Sequence, residues 1–293
     1  MVAINWETLF SDEQEVGEWL VEPLIPSGRQ VALYGDAKAG KSLLALDLAA
    51  GLASGRGVLR RPAGAPVTVL YLDQEMTRDD LRDRLASMDY GADDLSHLAY
   101  YQLQELPPLD SPAGGTVVTE LLDILHPELV VVDTTASLVA GPEDKADTIR
   151  DFYRFTGLTI KAHGAAMLRL DHTGKDSGVG QRGTSHKAGD VDIVLAMTSK
   201  DAEVKVRCTH TRVSWMPRDI VLRRDEEPTL THVLADPDSF FSGKIVTIAR
   251  QLDDLHVPIE ATKRQAMDAL RGGGQGRRDA DVLAALGMRR ERQ

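Results

Sequence analysis

The chain lacks most of what would staple it, anchor it or export it. Its 293 residues contain a single cysteine, Cys208. That excludes an internal disulfide framework and fits a reducing cytosol, so a cytoplasmic setting is expected. Within the strand-like residues 204–208 the thiol reads as a small buried hydrophobe. No apolar run approaches the length of a membrane-crossing helix, and no membrane partner is expected. Residues 1–10 show no basic region followed by an apolar stretch, so no signal peptide is read there. Internal repeats and zinc-ligand spacing are missing too. Positive charge is short: the formal net charge is −11. This argues against a surface coated for duplex DNA, but it leaves room for a local basic channel inside an acidic ring. The deficit is uneven, because residues 244–293 carry ten Lys/Arg against seven Asp/Glu. Hydrophobic residues at 42% and charged ones at 27% are ordinary for a globular protein. The length suffices for one large α/β domain and an appendage.

What is present centres on Gly35-Asp36-Ala37-Lys38-Ala39-Gly40-Lys41-Ser42, which meets every fixed position of G-x-x-x-x-G-K-[ST]. A buried strand is expected before it over residues 29–34, and a helix after it from Ser42 and Leu43 to Leu52. Such a loop turns its backbone N–H groups around a phosphate, with the helix dipole behind them. Lys41 is expected to reach the β- and γ-phosphates of ATP, and the Ser42 hydroxyl to hold Mg²⁺. Gly35 and Gly40 are expected because the loop bends tightly and a Cβ would block the phosphate. Residues 35–43 together form the expected cradle.

Two further strands end in acids. Residues 67–72 form a near-continuous β-branched and apolar run closing on Asp73-Gln74-Glu75. This run is expected next to the phosphate-loop strand, with its end facing the nucleotide crevice. Glu75 fits two roles: a base that orients the attacking water, or a residue complementing the dipole of a helix capped by Thr77 and Asp80. Residues 129–132 close on Asp133, the pattern of an acid that holds the Mg²⁺ hydration shell opposite Ser42. Residues 116–125 and 148–163 read as helices, and 137–147 as a mobile loop. A strand over 165–170 delivers His172, either a γ-phosphate sensor or an ordinary loop residue. Residues 174–189 are rich in Gly, Ser and Thr and carry Lys175, Arg182 and Lys187. They suit a basic loop tracking single-stranded DNA, or a solvated surface loop. Strands are expected over 191–197, 204–208 and 220–223, the last two as an antiparallel edge. Arg212, between these last two, or less well Arg207, is a candidate finger toward a neighbour's γ-phosphate.

Three segments result: an arm over 1–28, an ATPase domain over 29–242, and a small helical tail over 243–293. In the arm, residues 19–26 read as an apolar strap against the sheet edge. Trp6 and Trp19 pack in the core or meet a neighbouring subunit or the adenine. The fold class expected is α/β: a mostly parallel twisted sheet flanked by helices, with antiparallel edge strands.

In order and spacing, these motifs over roughly residues 19–235 resemble the RecA-like ATPases of the plasmid RepA replicative helicase group, in the wider class of DnaB and RadA. The resemblance implies a homo-oligomeric, hexameric ring with ATP between subunits. It implies Lys41 and Ser42 in the phosphate loop, Glu75 as catalytic glutamate and Asp133 as metal-side acid. His172 would match the second His of a His-His motif, and Arg212 the arginine finger in trans. Arg84, before Leu85, matches the family's Arg-Leu without an assigned role. Loops 141–147 and 174–189 would grip single-stranded DNA. The chain departs from the pattern at Asp171, where the first His would stand, and at His210, where Lys is common. Glu143 and Asp144 flank the lone Lys145 in the first channel loop. The expected activity is Mg²⁺-dependent ATP hydrolysis driving a ring helicase or translocase. The other readings are an ATP-switched regulator or loader of a replication or recombination protein, and a non-hydrolysing nucleotide-binding scaffold.

Overall fold

A computed structural model describes residue 6 and residues 19–103, 105–143, 145–172, 190–235, 243–271 and 279–291. Two short strands, β1 (Trp19–Val21) and β2 (Ile25–Pro26), pair antiparallel as a sheet of their own. Then follow β3 (Gln30–Gly35), α1 (Lys41–Ser54), β4 (Val69–Asp73), α2 (Arg78–Ser87) and β5 (Leu98–Gln102). Next come α3 (Pro112–Leu125), β6 (Leu129–Asp133), the short α4 (Thr135–Leu138), α5 (Ala146–Phe152) and α6 (Leu158–Ala162). Strands β7 (Ala166–His172), β8 (Ile193–Lys200), β9 (Glu203–Thr211), β10 (Asp219–Asp225) and β11 (Thr231–Leu234) complete the sheet.

Nine strands run in the order β11-β10-β9-β8-β3-β7-β6-β4-β5. From β8 to β5 every pairing is parallel, and from β8 to β11 every pairing is antiparallel. The parallel strands β3, β4 and β6 are buried at every residue, which is why their middles read as apolar runs. Strand β9 instead begins with exposed and buried residues in alternation, the mark of a sheet covered on one face.

The mostly parallel sheet flanked by helices, with its antiparallel edge, is the α/β fold expected. Two placements differ. Strand β4 is not next to the phosphate-loop strand β3, because β7 and β6 lie between them. Periodicity marks a strand as buried but carries no information on its neighbours. The strap of β1 and β2 does not lie on the sheet edge either. Leu20, Val21, Leu24 and Ile25 join the main core with Val31, Leu33 and Leu168 on the central strands. Trp19 packs edge-on against Trp215, ring centroids 4.6 Å apart, so it is a core contact.

Helix α1 is apolar nearly all round and buried on nearly every side. Leu44, Ala45, Leu48 and Leu52 face the sheet residues Val31, Leu33, Val131 and Leu168. The opposite sheet face, Leu70, Leu72, Val130, Val132 and Met167, packs on Val118 and Leu122 of α3 and on Phe152 and Ile160. Each such side chain taken fully from water contributes roughly 1.5–3 kcal/mol. The helix expected over 148–163 contains one π-helical turn, Tyr153–Gly157, between α5 and α6. There the Gly157 carbonyl accepts a hydrogen bond from Gln30 Nε2. The stretch 137–147 starts inside α4, and beyond it the N–H groups of Ala140 and Gly141 donate to the Asp110 carboxylate at 2.8 and 3.2 Å. Beyond β11, helices α7 (Gly243–Asp254), α8 (Lys263–Arg271) and α9 (Asp279–Glu291) share a separate small core built on Ile248, Leu252, Leu270, Val282 and Leu286.

Candidate functional site

The parallel strands all end on the same side, and β3 delivers the phosphate loop there. Gly35 is its last residue, and Lys41 opens α1. Gly40 caps the helix at φ 89°, a left-handed conformation that favours glycine. Gly35 has a further reason to be glycine. A Cβ there would lie 2.5 Å from the Met197 carbonyl oxygen on the adjacent β8, so the neighbouring strand excludes it.

Lys41 is buried, and its ammonium donates to the carbonyls of Gly35 and Asp36 at 2.9 and 3.0 Å. Burial lowers its pKa, opposed chiefly by the charges of Asp133 and Glu75. Ser42 Oγ donates to Asp133 Oδ1 at 3.0 Å. The other carboxylate oxygen of Asp133 accepts from Tyr71 OH at 2.8 Å. Asp133 is completely buried, and desolvation lifts its pKa to about 6.

Glu75 follows β4 in a turn made by Asp73. The buried Asp73 carboxylate accepts from the N–H of Glu75 at 2.8 Å, from the N–H of Met76 and from Tyr100 OH at 2.7 Å. The Asp73 carboxylate therefore shapes the turn before α2. The helix itself is capped by Thr77 and Asp80 in the expected reciprocal box. Glu75 Oε1 accepts from Thr134 Oγ1 at 2.8 Å and from Ser137 Oγ at 3.3 Å. His172 Nε2 lies 3.8 Å from the same oxygen. Strand alternation turns the preceding Asp171 to the other face, where it pairs at 3.1 Å with Arg169, both fully buried. Its charge still reaches Lys41 as a minor influence.

These groups surround a cavity of about 510 Å³, lined by Ala37, Lys38 and residues 40–43 on one side and by Glu75, Thr134 and His172 on another. Two guanidinium-bearing residues complete the wall, Arg84 from α2 and Arg224 from β10. Arg84 was visible in the sequence without a role. Arg224, Tyr71, Tyr100 and Thr134 carry no local pattern in the sequence that marks them. Arg224 arrives by a tertiary route. Asp47, one turn after Leu43 on α1, accepts from His232 N and Nδ1 at 2.6 and 2.8 Å. His232 on β11 pairs in register with Arg224 on β10.

Arg212 stands elsewhere. Thr211 pairs with Ile193 and Ile193 with Val31, at the end of the sheet away from Gly35. The exposed Arg212 therefore takes no part in the cleft of its own chain. Lys175, Arg182 and Lys187 lie outside the described residues. Among the described residues no helix is long and apolar enough to cross a membrane. No group of three or more His, Cys, Asp or Glu side chains among them could hold a metal unaided.

A loop that follows a buried strand, precedes a buried helix and places a lysine and a serine opposite a strand-end aspartate has the form of a nucleotide-phosphate site. A search of curated proteins finds no match to the chain. A comparison with protein families matches residues 3–178, more than half of the sequence, to the family described as AAA domain. Fold, cleft and match agree, and the chain belongs to the AAA domain family of P-loop ATPases.

Proposed function

We propose that the chain is a Mg²⁺-dependent ATP hydrolase that works as a homo-oligomeric ring, hexameric by its resemblance to the RepA group, and moves along single-stranded DNA in replication or recombination. The observation that carries the catalytic part is the convergence of Lys41, Ser42 and Glu75 on one cleft, with the buried Asp133 bonded to Ser42 behind it. The donor set suits a magnesium nucleotide, since Mg²⁺ is commonly held by one or two carboxylates together with phosphate oxygens. Asp133, buried beside the charges of Asp73 and Glu75, is a site that a cation would relieve. When bound, Mg²⁺ would neutralise charge on the β- and γ-phosphate oxygens.

The protein groups do the rest. The amides of residues 35–43 cradle the phosphates. Lys41 exchanges its loop carbonyls for phosphate oxygens. Thr134 and Ser137 hold one oxygen of Glu75, leaving the other to orient the water. His172 stands beside Glu75 to report on the γ-phosphate. Arg212, remote from its own cleft, serves a neighbour's. Lys175, Arg182 and Lys187 would follow the DNA strand. A regulator or loader switched by ATP is the second reading, favoured by the net charge of −11.

ATP turnover with and without single-stranded DNA, together with mass in solution, tests the proposal. Stimulated turnover by a ring-sized species is expected, with Lys41→Ala reducing it about a hundredfold or more. Unchanged turnover in Lys41→Ala overturns the hydrolase assignment. Turnover without DNA stimulation or unwinding selects the regulator, and intact ATP selects a nucleotide-binding scaffold.

A further inference from the structure

Tyr71 and Tyr100 occupy paired positions on the parallel strands β4 and β5. Their rings stack with centroids 4.6 Å apart and planes at 18°. Each hydroxyl ends on a different carboxylate: Tyr71 on Asp133 Oδ2 at 2.8 Å and Tyr100 on Asp73 Oδ2 at 2.7 Å. Ring packing alone would be served equally by phenylalanine, so the two hydroxyls call for a separate account.

The bonds divide the work of the carboxylates. With Oδ2 of Asp133 tethered to Tyr71, Oδ1 is left facing Ser42. With Oδ2 of Asp73 tethered to Tyr100, Oδ1 is left to receive the N–H of Glu75 and so to set the turn that aims it. We infer that Tyr71 and Tyr100 are positioning residues with distinct duties: Tyr71 orients Asp133 toward the metal, and Tyr100, through Asp73, sets the reach of Glu75 toward the attacking water. This rests on the ATP-hydrolase reading above. Partners behind a metal-side carboxylate commonly tune its affinity.

The experiment uses the full chain with Tyr71→Phe and Tyr100→Phe, each removing one oxygen and keeping the ring. Mn²⁺ binding in the presence of ADP is titrated by electron paramagnetic resonance. The kcat and KM for ATP are measured across Mg²⁺ concentrations, and thermal melting checks the fold. Tyr71→Phe is expected to weaken Mn²⁺ binding about tenfold, with kcat recovering at saturating Mg²⁺. Tyr100→Phe is expected to lower kcat roughly tenfold with Mn²⁺ binding unchanged. Wild-type Mn²⁺ binding and kcat in both variants overturn the inference, and so does an identical pattern in both. If Tyr71→Phe does not fold, the Tyr100→Phe arm decides alone. A wild-type protein that binds Mn²⁺ with ADP but leaves ATP intact removes the duty of Tyr100 and the hydrolase reading together. In that case the Tyr71 arm is still decided by Mn²⁺ binding.

Discussion

Ser42 Oγ donates to Asp133 Oδ1 across 3.0 Å, although the strands that lead to these residues are not neighbours. Strand β7 lies between β3 and β6. The bond closes because Ser42 is not on β3 itself but in the first turn of α1, which crosses the face of the sheet above β6. The loop after β3 and the acid that closes β6 are joined by this contact, and each depends on the other for its geometry.

Asp133 makes the fold pH-sensitive. Desolvation, with the nearby charges of Asp73 and Glu75, lifts its pKa from 3.8 to about 6 against the hydrogen bonds from Tyr71 and Ser42. Between those values the folded chain holds a proton that the unfolded chain releases. The stability from this group is therefore present at low pH and falls as pH rises toward 6. Above that, the buried charge costs on the order of 3 kcal/mol. Asp133→Asn should thus resist urea better than wild type at pH 8 without nucleotide, with the gap closing by pH 4, while ATP turnover is lost. Urea denaturation at the two pH values checks it.

The clip between Asp47 and His232 holds the antiparallel edge to the phosphate-loop helix. Asp47→Ala leaves a buried N–H and a buried imidazole without their acceptor, at about 2–3 kcal/mol. Asp47→Asn keeps an acceptor oxygen and should lose less than half of that. Chemical denaturation of the two variants measures the difference.

Arg224 now pairs with Glu226 at 3.0 Å while lining the nucleotide cleft. Arg224→Ala should weaken ATP binding about fivefold, near 1 kcal/mol, since the group is partly exposed to solvent. Melting without nucleotide should stay within about 1 °C, the usual result of a surface substitution. Titration with a fluorescent ATP analogue reads the first, and calorimetry the second.

Much of this site is legible in the residues because its parts are local. The phosphate loop, the acid closing β6 and the reciprocal box of Thr77 and Asp80 each lie within a few consecutive positions. Their geometry follows from chain stereochemistry. Tyr71 is different. In the sequence it is one more apolar residue of a buried strand, and its hydroxyl acquires meaning only once β4 lies beside β6. Arg224 likewise becomes a cleft residue only when β10 and β11 fold back over α1. Strand β11, Thr231–Leu234, leaves no mark in the sequence, being four residues long and only half-buried at most positions. Strand order escapes periodicity for the same reason, and the misplaced neighbour of β4 is the result.

The ladder partners of β3 are β7 and β8 and no other described strand. During synthesis the phosphate-loop segment therefore leaves the ribosome more than a hundred residues before any strand that can hydrogen-bond to it. Until residues 166–172 have emerged, the early half of the chain carries the glycine-rich loop with no ladder to hold it open. A truncated nascent chain ending before that point carries the phosphate-loop motif and is expected to be unable to retain a nucleotide.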